Sequence, residues 1–79
     1  MTLTCAIVDD EPLAVRLLET YVQKTPFLHH CSSYSSAIEA MGGLRDNPVD
    51  LLFLDIQMPE LSGLDFARIV GEETRIVFT

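Results

Sequence analysis

Seventy-nine residues allow one small domain with a modest core, and an apolar content of 48% excludes a disordered tail. No unbroken apolar run is long enough to cross a bilayer. The net charge of −7 disfavours direct contact with nucleic acid or anionic lipid, whose phosphates would be repelled. The N-terminus, Met1-Thr2-Leu3-Thr4-Cys5, has neither a basic region nor an apolar run before a cleavage site, so no signal peptide is expected and a cytoplasmic location is. Cys5 and Cys31 are too far apart for a CxxC pair and read as inert buried thiols.

Residues 3–8 form a short apolar, β-branched run that stops at Asp9-Asp10-Glu11-Pro12, the pattern of a strand buried on both faces. Ala14, Leu17, Leu18, Tyr21 and Val22 then recur at helical spacing, with Pro12 at the start and Lys24 near the end. Thr25-Pro26 breaks this first helix, and residues 27–34 read as a second, less apolar strand. Its adjacent histidines, His29 and His30, point to opposite faces and cannot share one ion.

Ser36 and Glu39 form a capping box before Ala37, Ile38, Ala40, Met41 and Leu44, and Gly42-Gly43 should weaken this second helix toward its end. Asp46-Asn47-Pro48 is a turn. Leu51-Leu52-Phe53-Leu54 is the strongest central-strand signal in the chain and delivers Asp55 at its C-terminal end. A loop over residues 57–63, a third helix over 64–70 and a fourth strand over 75–79 complete the reading. On the third helix, Asp65 and Arg68 read as a solvated pair; Met58, in the loop before it, reads as packing. Strands alternating with helices imply right-handed βαβ units and a parallel sheet with helices on both faces.

If the first and third strands are neighbours, Asp9, Asp10 and Asp55 converge on one pocket outside the strand ends, where ligands bind in such sheets. Mutually repelling carboxylates hold a proton or bind a cation, and an all-oxygen site suits Mg²⁺. A carboxylate beside Mg²⁺ can attack phosphorus to give an aspartyl phosphate. The alternative is structural, since Asp10-Glu11-Pro12 also makes an ordinary helix start. Asp55 has no such excuse in the sequence.

Ile7-Val8-Asp9-Asp10-Glu11-Pro12, together with Phe53-Leu54-Asp55-Ile56-Gln57-Met58-Pro59-Glu60-Leu61-Ser62-Gly63, resembles the receiver domain of two-component response regulators. The resemblance implies a flavodoxin-like (CheY-like) doubly wound parallel sheet of order 2-1-3-4, with the fifth strand and last two helices absent. Residues 1–79 would then be a partial receiver, β1-α1-β2-α2-β3-α3-β4. It makes Asp55 the phosphoryl acceptor and Asp10 and Asp55 direct Mg²⁺ ligands, with Asp9 acting through water and Gln57 through its backbone carbonyl. Pro59 and Gly63 would shape the loop beneath the pocket. Thr79 stands near the family's hydroxyl switch, although Ile76-Val77-Phe78-Thr79 resembles receivers in which that residue comes one place later. Lys24, the only lysine, cannot take the part of the family's phosphate-contacting lysine.

By the same resemblance, a sensor histidine kinase donates the phosphoryl group, and the domain is a signalling module rather than an enzyme. Asp-Glu-Pro-Leu-Ala and the Ile-Val-Phe-Thr ending are similar to receivers joined to LytTR-type DNA-binding effectors. A haloacid-dehalogenase phosphatase would want a second Asp where Gln57 stands, and a flavin-binding module would want hydroxyls where Asp9 and Asp10 stand. The 79-residue chain is expected to self-associate through its fourth strand or an uncovered sheet face.

Overall fold

The computed structural model of the chain describes residues 1–57, 70, 71 and 73–79. The apolar and periodic segments there form β1 (Leu3–Val8), α1 (Pro12–Gln23), β2 (Leu28–Tyr34), α2 (Ala37–Asp46), β3 (Leu51–Leu54) and β4 (Arg75–Phe78). All strand pairings are parallel, and the sheet order is β2-β1-β3-β4, as expected. The expected third helix at 64–70 and the loop before it, with Met58, Pro59, Gly63, Asp65 and Arg68, lie outside the described residues apart from Gln57 and Val70. Val70 is helical, and Gly71 follows it with φ of +87°, a left-handed geometry that glycine accepts readily at a helix end.

Because β1 lies between two strands and is covered on both faces, Cys5, Ala6, Ile7 and Val8 are all fully buried. Side chains alternate along a strand. Ala6 and Val8 therefore point one way, joining Leu52 and Leu54 of β3 and Ala37, Ala40 and Leu44 of α2 in the main core. Cys5 and Ile7 point the other way, beneath α1, whose Val22 is buried. Two boundaries differ from expectation by one residue. Phe27 precedes β2 with its side chain exposed while its carbonyl accepts the Leu3 N–H, and Thr79 follows β4 while still donating to the Leu54 carbonyl.

The register of β1 against β2 shifts between Cys5 and Ala6, which pair with His30 and Ser32. Cys31 is the extra residue of this bulge and is exposed, which corrects the expectation of two buried thiols; Cys5 alone fits it. Burial, and to a lesser degree the nearby Cys31, pushes the Cys5 thiol above its ordinary pKa, consistent with an inert group. The bulge also brings His30 and Ser33 to one face, where His30 Nε2 lies 2.8 Å from Ser33 Oγ.

At α2, Ser36 Oγ accepts the Glu39 N–H at 3.1 Å, as a capping box requires. The return arm is displaced by one residue, since the Glu39 carboxylate accepts from the N–H and hydroxyl of Ser35. Gly42-Gly43 does not end the helix, which continues to Asp46. Gly43 has a packing reason: a Cβ there would overlap the Tyr34 ring, whereas one at Gly42 would meet open space. Gly43→Ala should therefore cost about 1–3 kcal/mol by overpacking. Gly42→Ala should stabilise by up to about 1 kcal/mol through helix propensity. Urea melts of the two variants check this, and equal behaviour would contradict the Tyr34 contact.

Candidate functional site

Val8 and Leu54 are register partners, so the chains leave β1 and β3 side by side. The Asp55 N–H donates to the Val8 carbonyl at 3.0 Å, and the Asp9 N–H to the Tyr34 carbonyl at 3.1 Å. Carboxylate oxygens of Asp9, Asp10 and Asp55 lie within 4.8 Å of one another. Asp9 is buried, Asp55 half-buried and Asp10 exposed, so the cluster grades from interior to solvent.

Backbone N–H groups orient the two inner carboxylates. Asp9 Oδ1 accepts from Glu11 N–H, and Asp55 Oδ1 from Gln57 N–H, each at 2.9 Å. The helix-start reading holds for position, since these residues do lead into α1, but not for side-chain capping. Glu11 occupies the cap position of α1 without a side-chain hydrogen bond to the helix, and Pro12 opens the first turn.

Burial pushes the Asp9 carboxyl above its ordinary pKa; the Glu11 N–H opposes the shift in part, while Asp55, in hydrogen-bonding range, and Asp10 add to it. Among the described residues no salt bridge reaches the three acids; the one contact of that kind, His30 Nε2 to Glu19 Oε2 at 3.7 Å, lies elsewhere. Hard oxygen donors gathered without a counter-charge fit a divalent cation of the Mg²⁺ type.

A raised native pKa means that the folded chain binds more protons than the unfolded chain between the ordinary aspartate range and the raised value. Stability of the metal-free protein should thus fall as pH rises through that window and recover on acidification. Thermal melts across the window should show this slope in the parent and a weaker slope in Asp9→Asn, whose amide oxygen can still accept from Glu11. Identical slopes would remove Asp9 as the cause.

Gln57 follows Asp55 closely enough to orient its carboxylate. Thr79 sits on the opposite flank of β3, its N–H bonded to the Leu54 carbonyl and its carbonyl to the Ile56 N–H. Lys24 caps the C-terminus of α1, at the helix end remote from the acids. A further constellation escaped the sequence reading: Ser33 donates its hydroxyl to Glu19 Oε2 at 2.7 Å, with His30 against Ser33. It depends on the bulge at Cys31, for which the sequence carries no signal. No helix among the described residues is long and apolar enough to cross a membrane.

A parallel sheet of this order, with acids gathered outside the carboxyl ends of β1 and β3 where the strand order reverses, defines a flavodoxin-like, CheY-like fold. The family model "Response regulator receiver domain" matches residues 5–79, and the chain belongs to that family. The transcriptional regulatory protein BtsR of Escherichia coli K12 is 42% identical over 74 residues, covering 91% of this chain and 31% of BtsR. The sensory transduction protein LytT of Enterococcus faecalis is 44% identical over 62 residues, 78% of this chain and 26% of LytT. The chain thus spans about a third or less of these curated relatives.

Solved structures give the same fold. The response regulator domain of Thermotoga maritima CheB superposes with a TM-score of 0.85 at 20% identity, covering 99% of this chain and 60% of that one. A structure of CheY6 with the P1 domain of CheA3 from R. sphaeroides matches with a TM-score of 0.79 at 29% identity, covering 95% of this chain and 59% of that one.

Proposed function

We propose that this receiver accepts a phosphoryl group on Asp55 from a sensor histidine kinase in a Mg²⁺-dependent reaction, and so controls an attached effector. The convergence of Asp9, Asp10 and Asp55 within 4.8 Å carries the reading. Asp10 and Asp55 would hold the ion directly, with the Gln57 backbone carbonyl, and Asp9 through water. When bound, the ion supplies positive charge against the transferring phosphoryl oxygens.

The protein's own part is positioning. The Gln57 N–H fixes Asp55 Oδ1, leaving Oδ2 to attack phosphorus; the new O–P bond forms as the bond from phosphorus to the donor histidine nitrogen breaks. Burial raises the Asp9 carboxyl above its ordinary pKa, a cost that a nearby cation would relieve. Hydrolysis of the acyl phosphate by water would return the domain to its resting state, and Thr79, on the flank of β3, is the candidate to sense the modification.

A kinase partner is supported by family membership and by the complex of CheY6 with the P1 domain of CheA3. A DNA-binding effector of LytTR type, beyond the segment seen here, is supported by the likeness to LytT and to the transcriptional regulator BtsR. A cytoplasmic location follows from these partners. Nucleic acid would be met by that effector and not by this acidic segment.

Asp10→Ala should abolish Mg²⁺ binding, because it removes the exposed ligand, while leaving the fold intact, because it relieves repulsion. Mg²⁺ titration followed by NMR or calorimetry checks both halves. An isotherm like the parent's would overturn the ligand assignment.

A further inference from the structure

A groove of about 340 Å³ runs beside the acid cluster, between the starts of α1 and α2, with Asp9 and Asp10 in its lining. Pro12, Val15 and Tyr34 give it apolar surface. Glu19 of α1 and Glu39 of α2 also line it, and serines of β2 and the following loop hold both carboxylates in place. Ser33 donates to Glu19 Oε2 at 2.7 Å, and Ser35 to Glu39 Oε2 through its hydroxyl at 2.9 Å and its N–H at 3.2 Å. Because the single hydroxyl hydrogen of Ser33 goes to Glu19, the His30 ring must be the donor in the His30–Ser33 bond, so the imidazole backs this wall. Arg16 is the one basic residue in the lining, so acids outnumber it.

An apolar floor between fixed carboxylates suits a guest with an apolar stem and a cationic head. Anions would be repelled, and a wholly apolar guest would strip water from Glu19 and Glu39 without compensation. The groove opens onto Asp9 and Asp10, so its guest lies against whatever delivers phosphorus to Asp55. We infer that this groove receives an arginine or lysine side chain of the phosphoryl-donor protein, seating the donor over the acid pocket. The inference rests on the receiver reading given above and adds a contact that small phosphoryl donors cannot make.

The test titrates the ¹⁵N-labelled chain, in excess Mg²⁺, with Nα-acetyl-arginine amide and with its neutral isostere Nα-acetyl-citrulline amide. Saturable shifts at the amides of Val15, Glu19, Ser33 and Ser35, with the arginine probe alone, are expected. Glu19→Gln and Glu39→Gln should each raise the apparent Kd at least threefold, and Arg16→Ala should lower it. The Gln side chains can still accept from the serines, and spectra unchanged elsewhere establish that the variants fold. Equal shifts with citrulline, shifts scattered over the acidic surface, or unaltered affinity in both Gln variants would overturn the inference. So would sedimentation showing that the Gln variants weaken self-association, which would make a second copy the guest. A normal Mg²⁺ titration alongside a silent groove removes this inference alone, whereas loss of Mg²⁺ binding in the parent removes the receiver reading itself.

Discussion

Asp55→Asn is expected to reduce phosphoryl incorporation from acetyl phosphate or a cognate kinase to background, roughly two orders of magnitude or more below the parent. The substitution keeps the shape of the side chain and an oxygen able to accept from Gln57 N–H, so the loop after β3 should stay in place. What it removes is the nucleophilic oxygen. Asp9 and Asp10 stand within 4.8 Å of Asp55 and could in principle take its place, which makes the experiment discriminating. Asp9 is only 6% exposed, however, and one of its oxygens is engaged by Glu11 N–H. Asp10 follows the strand end and, among the described residues, has no backbone partner that orients it. Intact-mass analysis of the variant after exposure to acetyl phosphate and Mg²⁺ provides the readout. Labelling equal to the parent's would show that another group is the acceptor.

The second large effect is association of the 79-residue chain. On the sheet face that carries Cys5 and Ile7, α1 packs over β1 and β2. Leu51 and Phe53 on the same face remain half-buried, and Val77 of β4 is 40% exposed. Leu13, Leu17 and Tyr21, spaced four apart along α1, are 73%, 54% and 57% exposed. A helix flank of this kind beside an incompletely covered sheet is more apolar surface than a monomer usually shows water. Among the described residues β4 has one strand neighbour, β3, so its other edge offers backbone groups for pairing.

Light scattering at micromolar concentration should therefore report a dimer or larger assembly. Leu17→Lys with Tyr21→Lys should shift it toward monomer, and an added charge on β4 at Val77 should do the same. A monodisperse monomer with a cooperative melt in the parent chain would refute this.

Much of the fold was legible because local signals agreed with one another. A double-sided apolar run such as Cys5-Ala6-Ile7-Val8 has few places to go except the centre of a parallel sheet, and Leu51 to Leu54 is the same case. Alternation with amphipathic helices then limits the topology, because parallel neighbours need right-handed crossovers. The acids were legible for a related reason: a charged residue that ends a buried strand must emerge where the strand does, so Asp9 and Asp55 were bound to lie at the same end of the sheet.

Other features depended on contacts between residues distant in sequence. The bulge that exposes Cys31 is a register choice between β1 and β2. Nothing in Leu28-His29-His30-Cys31 announces it, because the strand's own periodicity would serve either register. From that bulge follows the meeting of His30 and Ser33, and with Glu19 on α1 the wall of the groove. Gly43 likewise looked like a weak point in a helix until the Tyr34 ring occupied the space where a side chain would stand. By itself, then, the sequence determined the order of elements, the central strands and the end of the sheet where the acids collect, since these depend on local burial and charge. The tertiary structure alone decided the strand register, the close approach of α2 to β2 and the groove beside the acids, because each is set by which distant surfaces pack together.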